Sequence, residues 1–223
     1  MRRYAPAAVA ALCAGCTGLL TSHAAPEQTY YLRPPGTVAG SAPLGTSLRV
    51  SHPQADPGLD SPRITLRQSD HRLSFYTGAR WAGPVPDLLE ALAVQTLRAD
   101  AAWSSVGDST SPFPSDYVLL MTVRRFDADY DADNSAPTVR VALDCVLARR
   151  EAREVVASFS VEGSASAGAN RQSAVVAAFE QATGSALQAL AARSREAART
   201  DLPQLHPAQN ADTPTPSSTR PSQ

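Results

Sequence analysis

With 223 residues, 43% of them hydrophobic and 18% charged, the chain suits one domain of moderate size flanked by tails. Forty residues are alanine, so the larger apolar side chains suffice for one core and not comfortably for two. Twenty basic residues, all arginine, stand against 21 acidic ones, a balance that disfavours a strongly cationic face and with it nucleic-acid binding.

The first residues read as an address. Met1-Arg2-Arg3 is a positive start, Ala5 to Leu12 is apolar apart from Pro6, and Cys13-Ala14-Gly15-Cys16 follows. This is the layout of a secretory signal. Ala14-Gly15 before Cys16 also resembles the lipobox of bacterial lipoproteins, in which cleavage exposes the cysteine for acylation. Leu12 lies four positions before Cys16, where the lipobox prefers three. Cleavage after Ala24, or an uncleaved anchor over Ala5 to Leu20, would be the alternatives. The latter is shorter than the ~20 residues of a spanning helix. The lipoprotein reading makes 1–15 a signal peptide, 16–28 a tether and Cys16 the lipidation site. Thr17 after Cys16 resembles the signal for passage to the outer membrane. Cys145 would then be the sole remaining thiol, which excludes an internal disulfide.

Thr29 to Leu32 is a short β-type run containing Tyr30 and Tyr31, stopped by Pro34-Pro35-Gly36. Leu48-Arg49-Val50, Ile64 to Arg67 and Leu73 to Tyr76 are further short strand signals. Trp81 leads into a helix over Asp87 to Asp100, with Pro84 and Pro86 near its first turn and Leu88, Leu89, Leu92, Thr96 and Leu97 on one face. Tyr117 to Phe126, Val139 to Leu147 and Val155 to Val161 read as three antiparallel strands of a meander. Cys145 falls on the apolar face of the second, where it acts as a small core residue. A final helix runs from Asn170 to Ala198, with Val176, Phe179, Thr183, Leu187 and Leu190 as its stripe. Residues 200–223 are rich in Pro, Ser and Thr and read as a disordered tail. The class is α+β: an antiparallel or mixed sheet with two main helices packed on one face, order β-β-β-α-β-β-β-α, over residues 29–199.

Chemistry finds few parts. His23, His52, His71 and His206 are scattered and lysine is absent. Asp127, Asp129, Asp131 and Asp133 are spaced as in a calcium loop, but Ala132 and Thr138 stand where the template needs Gly and Glu. A solvated acidic hairpin tip explains the run more simply. Ser166 lacks the preceding glycine of a nucleophile elbow. Asp70-His71-Arg72 fits a turn, and Trp81 fits a packing anchor better than a binding surface. No enzyme, no metal and no cofactor is expected.

Several short segments occur in a telling order: Tyr30-Tyr31-Leu32-Arg33-Pro34, Leu48-Arg49-Val50, Leu59-Asp60-Ser61-Pro62-Arg63-Ile64, His71 to Tyr76, and Arg80-Trp81-Ala82-Gly83-Pro84-Val85. With the later meander and the alanine-rich last helix, they resemble the ABC-type transport auxiliary lipoprotein family, the PqiC-like outer-membrane lipoproteins. Departures are Gly83 for a common Glu, Val85 for Leu, and Thr65-Leu66 for the usual Val-Tyr. The resemblance implies a non-enzymatic lipoprotein on the periplasmic face of the outer membrane. Its implied partners are an MCE-domain periplasmic protein and an inner-membrane ABC permease and ATPase, in a system that moves lipid between membranes. On that reading the domain is a tethered docking module, with the edge strand at Tyr30 and Tyr31, Trp81, and the acidic tip at Asp127, Asp129 and Asp131 as candidate docking residues. Self-association into a homo-oligomer through edge strands is a further expectation. A direct lipid carrier and an assembly lipoprotein for an outer-membrane barrel are the alternatives.

Overall fold

The structure is a computed structural model that describes residues 26–36, 42–131 and 135–205. Cys16, Ala24, Asp133 and the tail from 206 onward lie outside the described residues. Five strands come first: β1 (Gln28–Tyr30), β2 (Ser47–Val50), β3 (Gln54–Ala55), β4 (Arg63–Arg67) and β5 (Leu73–Trp81). Helix α1 (Val85–Ala99) follows, then β6 (Ser105–Gly107), β7 (Tyr117–Asp129), β8 (Thr138–Arg149), β9 (Glu154–Ser166) and α2 (Gln172–Leu205). The α+β class stands, and the three-strand antiparallel meander is β7-β8-β9. β3 and β6, two and three residues long, are additions that carry too little pattern to be read from sequence.

β7 organises the sheet. One of its edges pairs with β8 along the full length. The other accepts three short parallel strands in succession: β2 at residues 117–119, β3 at 122–123 and β4 at 128–129. β5 pairs antiparallel with β4, and β1 lies parallel to β5 at one edge. The result is a mixed sheet of nine strands. β5 extends beyond the Leu73 to Tyr76 signal as far as Trp81, passing through Gly78, whose φ of 71° a glycine adopts without Cβ strain.

Both helices cover one face. A bulge decides which side chains reach it: the β7–β8 register shifts between Val123 and Arg125. Before the shift, Tyr117, Leu119, Met121 and Val123 are buried; after it, Phe126, Ala128 and Tyr130 are. Alternation thus changes phase at Arg124, and Arg125, Asp127 and Asp129 pass to the helix-free face. A second shift between Leu147 and Ala148 moves Val155 off the core side, where simple alternation placed it. Val155 is 59% exposed.

The core centres on Trp81, Phe126 and Phe179, whose rings meet at centroid distances of 5.8, 5.1 and 4.9 Å. A second aromatic contact, Trp103 on Tyr117 at 5.8 Å, lies nearer the C-terminal end of α2. There the Tyr117 hydroxyl donates to Asp201 at 2.9 Å and Arg149 donates to the other oxygen at 3.0 Å. This buried anchor accounts for α2 continuing to Leu205, through residues that composition alone assigns to the tail. The N-terminal segment crosses α2, with Arg33 forming a two-point bridge to Glu180 at 3.0 and 2.9 Å.

Cys145 is buried on the helix-covered face of β8, as its alternation requires, and burial pushes its thiol up to about 12. At pH 8 such a thiol is ionised in only about one molecule in ten thousand. Alkylation by iodoacetamide is therefore expected to fail on the native domain and to go to completion in denaturant, read by intact mass.

Candidate functional site

The helix-free face carries the largest concentration of charge, at the end of β7 where the acidic run lies. Asp127 and Asp129 are strand residues in register with Arg140 and Thr138 of β8, and Asp129 also faces Arg67 of β4. Arg125 donates to both Asp127 oxygens, at 3.2 and 2.7 Å, and to Asp129 at 3.0 Å. Arg67 approaches Asp127 at 3.5 Å, and Arg140 donates to Asp129 at 3.1 Å. Asp127 is fully buried beneath these side chains, and its hydrogen bond, with help from Asp129, holds the Arg125 guanidinium firmly charged despite partial burial.

The expectation of a solvated acidic hairpin tip is therefore corrected for Asp127 and Asp129. Asp is disfavoured in strands, so an alternating Asp run reads as a loop; here arginines on three strands between them compensate the two carboxylates. The same geometry removes the calcium-loop alternative, since Asp127 and Asp129 sit on extended β7 backbone and already bind guanidinium groups. Asp131 is exposed, beside an open cleft of about 460 Å³ lined by Arg67, His71, Arg125, Asp129 and Tyr130. Asp127→Ala is expected to cost about 2–3 kcal/mol, less than a fully buried ion pair because Arg67 and Arg125 are about a third exposed. Asp131→Ala should fall within about 0.5 kcal/mol of wild type in the same urea titration.

The charge network continues along the face. Arg124, the extra residue of the bulge, donates to Asp144 at 2.7 Å and to Asp56 at 2.9 Å. The Ser160 hydroxyl and then Arg124 hold the Asp144 carboxyl below the usual carboxylate range. Arg63 lies 4.0 Å above the Phe75 ring.

The other sequence-derived residues fall elsewhere. Tyr30 ends β1 half-buried, its main-chain carbonyl bonded by Ala82 N–H at 2.7 Å, while Tyr31 is 71% exposed beside it. Trp81 is wholly buried. Asp70-His71-Arg72 is a turn, with His71 at φ 66° and the Asp70 carboxyl lowered by the Arg72 N–H. Ser166 is the last residue of β9, with its hydroxyl 3.3 Å from Thr138 Oγ1, and not the apex of an elbow. Tyr30 and Trp81 are register partners on β1 and β5, whereas the Asp70–Arg72 turn and Ser166 lie apart from them.

Sequence reasoning missed two arrangements. One is the role of Arg67, Arg125 and Arg140; the signal was Arg and Asp alternating in segments that would pair. The other is His52, whose Nδ1 lies 3.0 Å from Glu90 of α1, while the second Glu90 oxygen accepts the Ser109 N–H at 2.7 Å. Burial raises the Glu90 carboxyl, but Ser109 and His52 outweigh it and hold it below its ordinary value. Among the described residues no three His, Cys, Asp or Glu side chains converge as a metal site would require, and no helix is long and apolar enough to cross a membrane.

Two helices over a nine-stranded mixed sheet, one face covered and the other laced with arginine–carboxylate pairs, define an α+β domain. Residues 30–191 match the ABC-type transport auxiliary lipoprotein component family. This chain belongs to that family. A crystal structure of a Xanthomonas campestris protein of family DUF330 is similar at 30% identity with a TM-score of 0.72, covering 78% of this chain and 98% of that one. A second solved structure, of an uncharacterized protein, shares the fold at 17% identity and a TM-score of 0.56, with 79% and 99% coverage. No curated protein matches the chain.

Proposed function

We propose that the protein is a non-catalytic docking component of an MCE-type lipid transport system, anchored to the outer membrane through acylated Cys16. Membership of a transport auxiliary lipoprotein family supports the association with an ABC system. The observation that carries the docking reading is the contrast between the two faces of the sheet. The space between sheet and helices is filled by Trp81, Phe126, Phe179, Leu187 and their neighbours, all essentially inaccessible, which argues against a lipid carrier with a hydrocarbon pocket there. The helix-free face carries the arginine–carboxylate pairs instead, with Tyr31 and Asp131 as accessible contacts.

In this reading the acyl chains on Cys16, each buried CH₂ contributing ~0.8 kcal/mol, hold the domain at the membrane. The ABC permease and ATPase keep the energy-consuming chemistry, and the MCE-domain protein spans the gap to this module. Cys16→Ala is expected to move the protein from the outer-membrane fraction to the soluble periplasmic fraction. Affinity isolation of the wild-type chain should bring down the MCE-domain protein and the permease. An unmodified amino end beyond residue 16 on the mature protein would sink the anchoring model, and isolation with a barrel protein alone would replace the MCE assignment.

A further inference from the structure

We propose that the free edge of β9 accepts an extended segment of a partner protein as an additional strand. β8 pairs along one side of β9, and among the described residues no strand pairs along the other. Exposed edges of this kind are commonly blunted by short length, by proline or by lysine. β9 has thirteen residues, no proline among them, and the chain contains no lysine; the strand's one irregularity is the bulge at Val156, opposite Leu147 and Ala148.

The surroundings of the edge are shaped for a strand with side chains. At Gly163, α2 sits so close that a Cβ would lie 2.0 Å from the Ala182 carbonyl oxygen. Toward the start of β9 the two elements part, leaving an open groove of about 440 Å³ lined by Val155, Val156 and Ala157 on the strand, Ala197 and Thr200 on the helix, and the charged Arg149, Glu154 and Asp201. An added strand would bond its main chain along the edge and lower alternate short side chains into that groove.

Charge selects the occupant. The charged residues of β9 are Glu154 and Glu162. Glu154 is bridged to Arg149 at 3.4 Å, whereas Glu162 is exposed with no ion-pair partner among the described residues. A second copy of β9 would bring two more glutamates and no cation, and like charges across a strand pair are destabilising. A heterologous segment with an arginine or lysine opposite Glu162 and small apolar residues over Val155 to Ala157 is complementary. The proposal rests on the docking reading only for which protein brings that segment, a component of the transport system.

Hydrogen exchange on the full-length lipoprotein, alone and isolated with its transport partners, tests the site. Outward amides of residues 154–166 should exchange quickly in the free protein and at least about tenfold more slowly in the complex. The exposed double change Val155→Lys with Ser158→Lys, and separately Glu162→Arg, should each weaken the complex by about tenfold with the melting temperature unchanged. As an independent probe, a decapeptide alternating valine and threonine with one central arginine should protect the same amides in the wild type and not in the double variant. Peptide protection without any co-isolated transport component would uphold the strand site and sink the docking reading. Co-isolated partners with β9 amides still exchanging freely would sink the strand site alone. Protection that appears in the free protein and grows with its concentration would assign the edge to a second copy and overturn the proposal.

Discussion

Replacing Gly163 by alanine is expected to be among the most damaging single changes in the domain, although it adds one methyl group. The added Cβ would stand 2.0 Å from the Ala182 carbonyl oxygen and 2.9 Å from both the Ala182 carbonyl carbon and the Ala186 nitrogen. These are backbone atoms of a helix, so no side-chain rotation relieves the overlap. Either α2 lifts from β9 or β9 bends away, and both movements open the alanine-rich seam at Ala178, Ala182 and Ala186. Overpacking of a tight core usually costs about 1–3 kcal/mol, and a clash with backbone belongs at or above the upper end. For a domain of this size that amounts to a fall of roughly 5–10 °C in melting temperature. Gly168→Ala is the control, since a Cβ there meets nothing within 4 Å. Equal melting temperatures for the two variants in a calorimetric scan would show that the helix and strand are not in the close contact described.

Trp81→Ala is the second large expectation. The indole is wholly buried and packs edge-on against both Phe126 and Phe179, joining β5, β7 and α2 at one point. Truncation of a buried Trp or Phe costs about 3–5 kcal/mol, against a typical total stability of about 5–15 kcal/mol. Trp81→Phe should recover much of the loss, because the indole Nε1–H has no hydrogen-bond partner among the described residues to forfeit. Urea unfolding of the two variants reads this directly. The result also separates packing from docking. If Trp81 were a contact residue, the alanine variant would fold normally and lose only its partner, whereas a buried keystone unfolds first and loses the partner as a consequence.

The family segments around Trp81 acquire a structural meaning in this light. Pro62 O accepts the Trp81 N–H at 2.7 Å and Tyr30 O accepts the Ala82 N–H at 2.7 Å. The three separated pieces containing Tyr30, Pro62 and Trp81 thus meet at one corner, where the sheet hands over to α1. Their order along the chain reflects packing of that corner. Chemistry on a substrate is not required to explain it.

What could be read from the chain alone was what repeats with a simple period or stands in a local signal. The apolar alternation of β8, the helical stripe through Phe179, Leu187 and Leu190, and the prolines opening α1 depend only on neighbours in sequence, and they placed the α+β class and the meander. The buried Cys145 followed from the same alternation. Pairing between distant segments carries no such local mark. The three short parallel strands along one edge of β7 became visible only in the fold, and so did the phase change at Arg124, the burial of Asp127 beneath arginines from two strands, and the contact at Gly163. A bulge shifts every later side chain to the opposite face, and the cost of a buried charge depends on who stands opposite it. Both are properties of register between strands, which is set when the sheet assembles and not before.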